Sequence, residues 1–146
     1  MKTSPGSKIV GGEYAPTPIP WQVHVRGPPC GGTILDETTI LSAAHCFYPP
    51  LPTSNYYIEA GKKDEASFDG QTISVKEVII HPMYNEEEGH PFDNDVAILK
   101  LKSPLTFNEN VQPACLPPNP SFRPENNLER DLAVTSGWGD TSEGNG

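Results

Sequence analysis

The stretch Leu41-Ser42-Ala43-Ala44-His45-Cys46 places one titratable ring between an alanine and a cysteine, directly after an apolar run. A histidine in such a turn is either a partly buried side chain that has found a hydrogen bond or a general base. A base needs its ring fixed in one tautomer, and the usual device is a buried carboxylate that accepts the Nδ1 proton. Asp95 fits that need, because it immediately precedes the apolar run Val96-Ala97-Ile98-Leu99, where a strand would half-bury its carboxylate. Asp93 has no such neighbour and reads as an ordinary turn residue.

Three cysteines leave one over, however they pair. A bond between Cys30 and Cys46 would close a loop of about 15 residues and contribute roughly 3 kcal/mol in the chain-entropy model. Cys115 would then be the orphan. Zinc is the rival use of these thiols, but there is no Cys-x-x-Cys and no closely spaced histidine pair, so no metal site is expected. Near the start, Lys8-Ile9 is a basic-to-apolar bond in a polar segment. Cutting it would free an α-amine on Ile-Val-Gly-Gly; alone, the same residues read as a strand start and a glycine turn.

The elements that must position these groups are short strands. Trp21-Gln22-Val23-His24-Val25 alternates apolar and polar, which predicts a strand with one buried face and His24 pointing outward. Further β-rich runs are predicted over 32–35, 39–42, 56–60, 72–80, 96–101 and 133–136, separated by Gly, Pro, Asp and Asn. Many short strands with regular turn signals favour a small antiparallel barrel or sandwich. Residues 48–52 and 115–124 are too proline-rich to donate to a sheet ladder, so both are expected to be loops or connectors. Glu86-Glu87-Glu88 reads as a solvated acidic loop.

The chain has 146 residues, enough for one sizeable core, and a formal net charge of −9. That balance argues against nucleic acid or an anionic membrane surface as the main partner. Its 17 prolines and 13 glycines fall short of a disordered composition. No apolar run is long enough to cross a membrane as a helix. The opening Met-Lys-Thr-Ser-Pro-Gly-Ser-Lys lacks the apolar stretch of a signal peptide, so the natural N-terminus is expected to be missing or replaced.

The motifs "IVGG", "CGGTIL", "LSAAHC", "DNDVAILKL", "ACLP" and "SGWG" occur here in that order, and with them the chain resembles the trypsin and chymotrypsin family of serine proteases from Ile9 almost to its end. The resemblance covers roughly the first half of a family domain. It implies an all-β architecture: residues 9–115 as the N-terminal six-stranded Greek-key antiparallel β-barrel, and 116–146 as a linker and the first strand of a second barrel. Residues 1–8 would be a residual activation segment. His45 then matches the general base, Asp95 the carboxylate that orients it, and Cys30 with Cys46 the disulfide beside the histidine. Lys8-Ile9 matches the bond cut when the zymogen is activated. Cys115 matches a cysteine whose partner lies off this chain.

The implied activity is that of a trypsin-like serine endopeptidase, extracellular and without a cofactor, with polypeptide substrates and protein inhibitors as partners. No "GDSGG"-like stretch occurs in these residues, and Ser42 belongs to the histidine motif, so the nucleophilic serine is expected beyond Gly146. These residues alone are expected to be inactive, and primary specificity is not readable from them. The alternative is a non-catalytic homologue used as a binding or regulatory module. Ala15 stands where many trypsins carry a cysteine. Lys62 and Lys63, despite Asp64, Glu65 and Asp69 nearby, disfavour the calcium site of some relatives. The loops 48–52 and 84–92 would overhang the cleft and restrict which chains enter.

Overall fold

The computed structural model describes residues 15–63, 69–84, 92–117 and 134–138. Lys8, Ile9, Asp64, Glu65, Glu86 to Glu88 and most of the expected linker lie outside them. Six strands form: β1 (Gln22–Arg26), β2 (Cys30–Asp36), β3 (Thr39–Ser42), β4 (Tyr57–Ala60), β5 (Gln71–Ile80) and β6 (Ala97–Leu101). They close into an antiparallel barrel in the order β1-β2-β3-β6-β5-β4. The meander β1-β2-β3 is followed by a crossover that brings β4 beside β1, and β6 then closes on β3. This is the all-β, six-stranded barrel that the sequence implies.

Alternation explains why these segments are strands. Val23 and Val25 of β1 point inward and meet Ile34, Ile40, Ile58 and Leu99, all fully buried. Phe47 and Tyr56 plug the barrel with an edge-on ring contact at 5.2 Å. Register shifts at Ile34/Asp36 in β2 and Val75/Glu77 in β5 bend the strands where the barrel turns its corners. Gly32 lies where β2 is crowded. A Cβ there would sit 2.7 Å from Ile40 Cγ2 and 2.9 Å from Val23 Cγ2, so the second glycine of "CGGTIL" is a packing requirement.

One expectation is met in a buried setting, and one is not met among the described residues. His24 does lie on the outer face of β1, but it is only 4% exposed. Alternation reports which face a side chain takes, and here Trp138, far away in sequence, stacks on that face at 5.0 Å. The expected strand over 133–136 does not appear at Val134, Thr135 and Ser136, which join no ladder; Ala133 lies outside the described residues. That strand is expected to pair within a second barrel, whose other strands are not among the described residues. The segment is held by side chains instead: Gln22 Nε2 donates to Ser136 O at 2.9 Å, and Trp138 Nε1 donates to Lys63 O at 3.3 Å.

Candidate active site

The pairing of β3 with β6 sets up the site. Ser42 lies opposite Ala97 at the end of that ladder, so the chain leaving β3 and the chain entering β6 emerge side by side. Three residues past Ser42 is His45, on the single 3₁₀ turn Ala44–Phe47. Two residues before Ala97 is Asp95. The turn is anchored by Ala44 and Phe47, both buried, which leaves His45 facing outward.

Asp95 grips His45 twice. Its Oδ1 accepts the backbone N–H of His45 at 2.8 Å, and its Oδ2 lies 2.7 Å from the ring Nδ1. The His45 side chain is 48% exposed and that of Asp95 16%. Burial pushes the Asp95 carboxyl up, but hydrogen bonds from the His45 ring and backbone, the charge of the ring and the Ala44 N–H together bring it below the usual aspartate value. With Oδ2 accepting the Nδ1 proton, the lone pair of the neutral ring is on Nε2. That is the tautomer a general base requires.

Asn94, immediately before Asp95, has φ +58°. Asparagine is among the few residues that tolerate this region. Its amide donates to Met83 O at 3.3 Å, which ties the approach to Asp95 to the turn that follows β5.

The disulfide joins Cys30 to Cys46, with a Cα separation of 6.3 Å, and Cys46 Sγ lies 3.6 Å from His45 Nε2. Cys30, His45 and Cys46 are close enough together to suggest a metal centre, but both sulfurs are in the disulfide and neither is a thiolate. Cys115 is an exposed thiol. Ser42 lies at the end of β3, where its Oγ donates to Gly31 O at 2.8 Å, which commits its proton to the neighbouring strand. A cleft of about 420 Å³ opens beside Asp95, bounded by Trp21, Gln22, Leu41, Val96 and Ser136.

On the outer face of β1 and β4, Glu59 is held between Arg26 Nε at 2.8 Å and Lys62 Nζ at 2.7 Å. Burial pushes its carboxyl up, yet the hydrogen bonds and charges of Lys62 and Arg26 outweigh it and hold the group below the ordinary glutamate value. Lys62 thus serves as the cation for that carboxylate. Sequence reading missed Glu59 and Arg26, whose only signal is their outward parity on paired strands. It also missed Asn94, for which Asn-Asp at a strand entry was an available cue.

The sequence profile of the trypsin family, described simply as "Trypsin", matches residues 8–145. Among similar proteins, an ovochymase from Halocynthia roretzi is 38% identical over 157 aligned residues, covering 93% of this chain and 9% of its own length. A trypsin from Phaedon cochleariae is 37% identical over 149 residues, covering 99% of this chain and 55% of its own length. The complement C1s subcomponent of Rattus norvegicus is 36% identical over 128 residues, covering 84% of this chain and 18% of its own. The chain therefore spans about half of the trypsin relative and less than a fifth of the other two.

Proposed function

This chain belongs to the trypsin family of serine proteases, and from that premise we propose that it carries two of the three catalytic groups of a secreted, trypsin-like serine endopeptidase. The observation that carries this reading is the double hydrogen bond from His45 to Asp95. A carboxylate that only stabilised a turn would need one of the two. Accepting the backbone N–H fixes where the residue is, and accepting the ring proton fixes which nitrogen is basic.

In the complete protein, a serine supplied from outside these residues attacks a peptide carbonyl. Its Oγ–H bond breaks and the proton passes to His45 Nε2, while the new C–O bond pushes the carbonyl electron pair onto oxygen. On collapse, the amine leaves with the proton from Nε2. Water then repeats the cycle on the acyl-enzyme. Throughout, Asp95 remains ionised and stabilises the imidazolium.

On the same reading, residues 1–8 are an activation segment cut between Lys8 and Ile9, residues 9–115 are the first barrel, and 116–146 lead into a second. Cys115 is bonded to a segment beyond these residues. Polypeptides are the substrates and protein inhibitors the further partners, in the extracellular setting with which the disulfide is consistent.

The test is to establish the residue at the nucleophile position of the complete protein and to label it with a serine-directed phosphonate. A serine that is labelled, and whose labelling falls sharply in His45→Ala, supports the reading. A different residue there refutes catalysis and moves the function to binding.

A further inference from the structure

Beyond the ladder pair Ser42 and Ala97, the His45 turn and the residues leading to Asp95 are no longer joined by strand hydrogen bonds. The two hydrogen bonds from His45 to Asp95 join them directly, and a second set of contacts braces both flanks from outside. The turn at residues 81–84, which follows β5, touches the flanks of both. On the His45 side, Tyr48 closes the 3₁₀ turn, and its ring meets that of Tyr84 edge-on, with centroids 5.7 Å apart and planes at 77°. On the Asp95 side, Met83 O accepts the Asn94 amide at 3.3 Å, and His81 N–H donates to Val96 O at 2.9 Å. The turn itself is closed by Tyr84 N–H to His81 O at 2.9 Å and by Met83 N–H to His81 Nδ1 at 3.2 Å.

We propose that Tyr84 is a positioning residue for the His45–Asp95 pair, acting through the ring of Tyr48 on one side and through its own turn on Asn94 on the other. The proposal rests on the reading of that pair as catalytic. Tyr84 is 7% exposed and Tyr48 37%, so one ring is an anchor and the other a half-open strut lying on it. A half-exposed histidine gains little orientation from packing of its own. The left-handed backbone at Asn94 costs free energy that its surroundings must hold in place. One brace spanning both flanks meets both needs.

The experiment uses the complete, oxidised protein and follows the His45 Nδ1 proton by nitrogen-edited NMR, measuring its exchange with water. Tyr84→Leu and Tyr48→Leu are each expected to speed that exchange by roughly 2- to 13-fold, the range set by an aromatic pair. The double variant should be no faster than Tyr84→Leu alone, because Tyr84→Leu already removes the contact between the rings. Tyr48→Phe, which keeps the ring, should restore the wild-type rate, and amide protection at Ile40 and Leu99 should stay unchanged. In the complete protein the leucine variants should lower kcat with KM unaltered.

Exchange at the wild-type rate in both leucine variants would overturn the brace, and so would a Tyr48→Phe variant as fast as Tyr48→Leu. Should Tyr84→Leu fail to fold, the more exposed Tyr48→Leu decides alone. Proton exchange needs no substrate. A complete protein that cuts no peptide therefore sinks the proposed function without touching the brace, and an unmoved proton sinks the brace without touching the function.

Discussion

The indole of Trp138 lies flat against the imidazole of His24, with centroids 5.0 Å apart and planes 11° apart, so a segment beyond the proline-rich connector is fastened to the first strand of the barrel. Gln22 to Ser136 and Trp138 to Lys63 are further points of attachment. Removing the flat surface under the indole should loosen the segment. In a Trp21→Phe background, where Trp138 is the sole emitter, His24→Ala is expected to shift fluorescence to the red and raise quenching by iodide. Unchanged emission and quenching would show that the stack does not hold the segment.

Glu59 ties β4 to Arg26 of β1 and to Lys62. Its folded pKa is depressed, so its contribution to stability is fully present above the ordinary value of 4.5 and is lost as pH falls through the lowered value. Glu59→Gln should cost about 1–3 kcal/mol near neutral pH, since it leaves two cations with a neutral partner. Urea denaturation should show the gap between wild type and variant closing as pH drops below 4.5. A gap that stays constant with pH would contradict the assignment.

The two glycines of the "CGGTIL" motif should differ. At Gly31 an added methyl group would have nothing within 4 Å, whereas at Gly32 it would meet Ile40 and Val23 at under 3 Å. Gly32→Ala is expected to cost roughly 1–3 kcal/mol through overpacking. Gly31→Ala in the same chain should change stability by less than about 1 kcal/mol. Thermal melts of the two variants decide it, and equal losses would contradict the packing at Gly32.

The bond between Cys30 and Cys46 joins β2 to the His45 turn, with a sequence separation of 16. Replacing both cysteines by alanine should lower unfolding free energy by roughly 3 kcal/mol. Denaturant midpoints at fixed slope measure this. A loss under about 1 kcal/mol would mean that the loop is already constrained in the unfolded chain.

Much of the barrel was legible because inward residues recur with period two, as in Val23 and Val25, and because turn residues punctuate the strands. His45 and Asp95 were legible because each sits at the end of an apolar run, and β3 pairing with β6 turns that similarity into proximity. Parity alone placed His24 outside, but its burial depends on Trp138, which no local pattern connects to β1. The expected strand over 133–136 failed for a related reason. β-Propensity describes a segment, whereas a strand needs neighbours to pair with, and those expected for 133–136 belong to a second barrel that is not among the described residues. The sequence placed Tyr48 and Tyr84 in loops beside the cleft but not against each other, because an edge-on pair between two loops leaves no periodic trace.

The most direct measurement of the central claim is steady-state hydrolysis of a peptide substrate by the complete protein, with the His45→Ala and Asp95→Asn variants beside it. If His45 is the base and Asp95 its orienting carboxylate, wild type cuts the peptide, Asp95→Asn lowers kcat by about 10⁴, and His45→Ala lowers it by something on the order of 10⁶. A complete protein whose hydrolysis survives His45→Ala within a few-fold would contradict it.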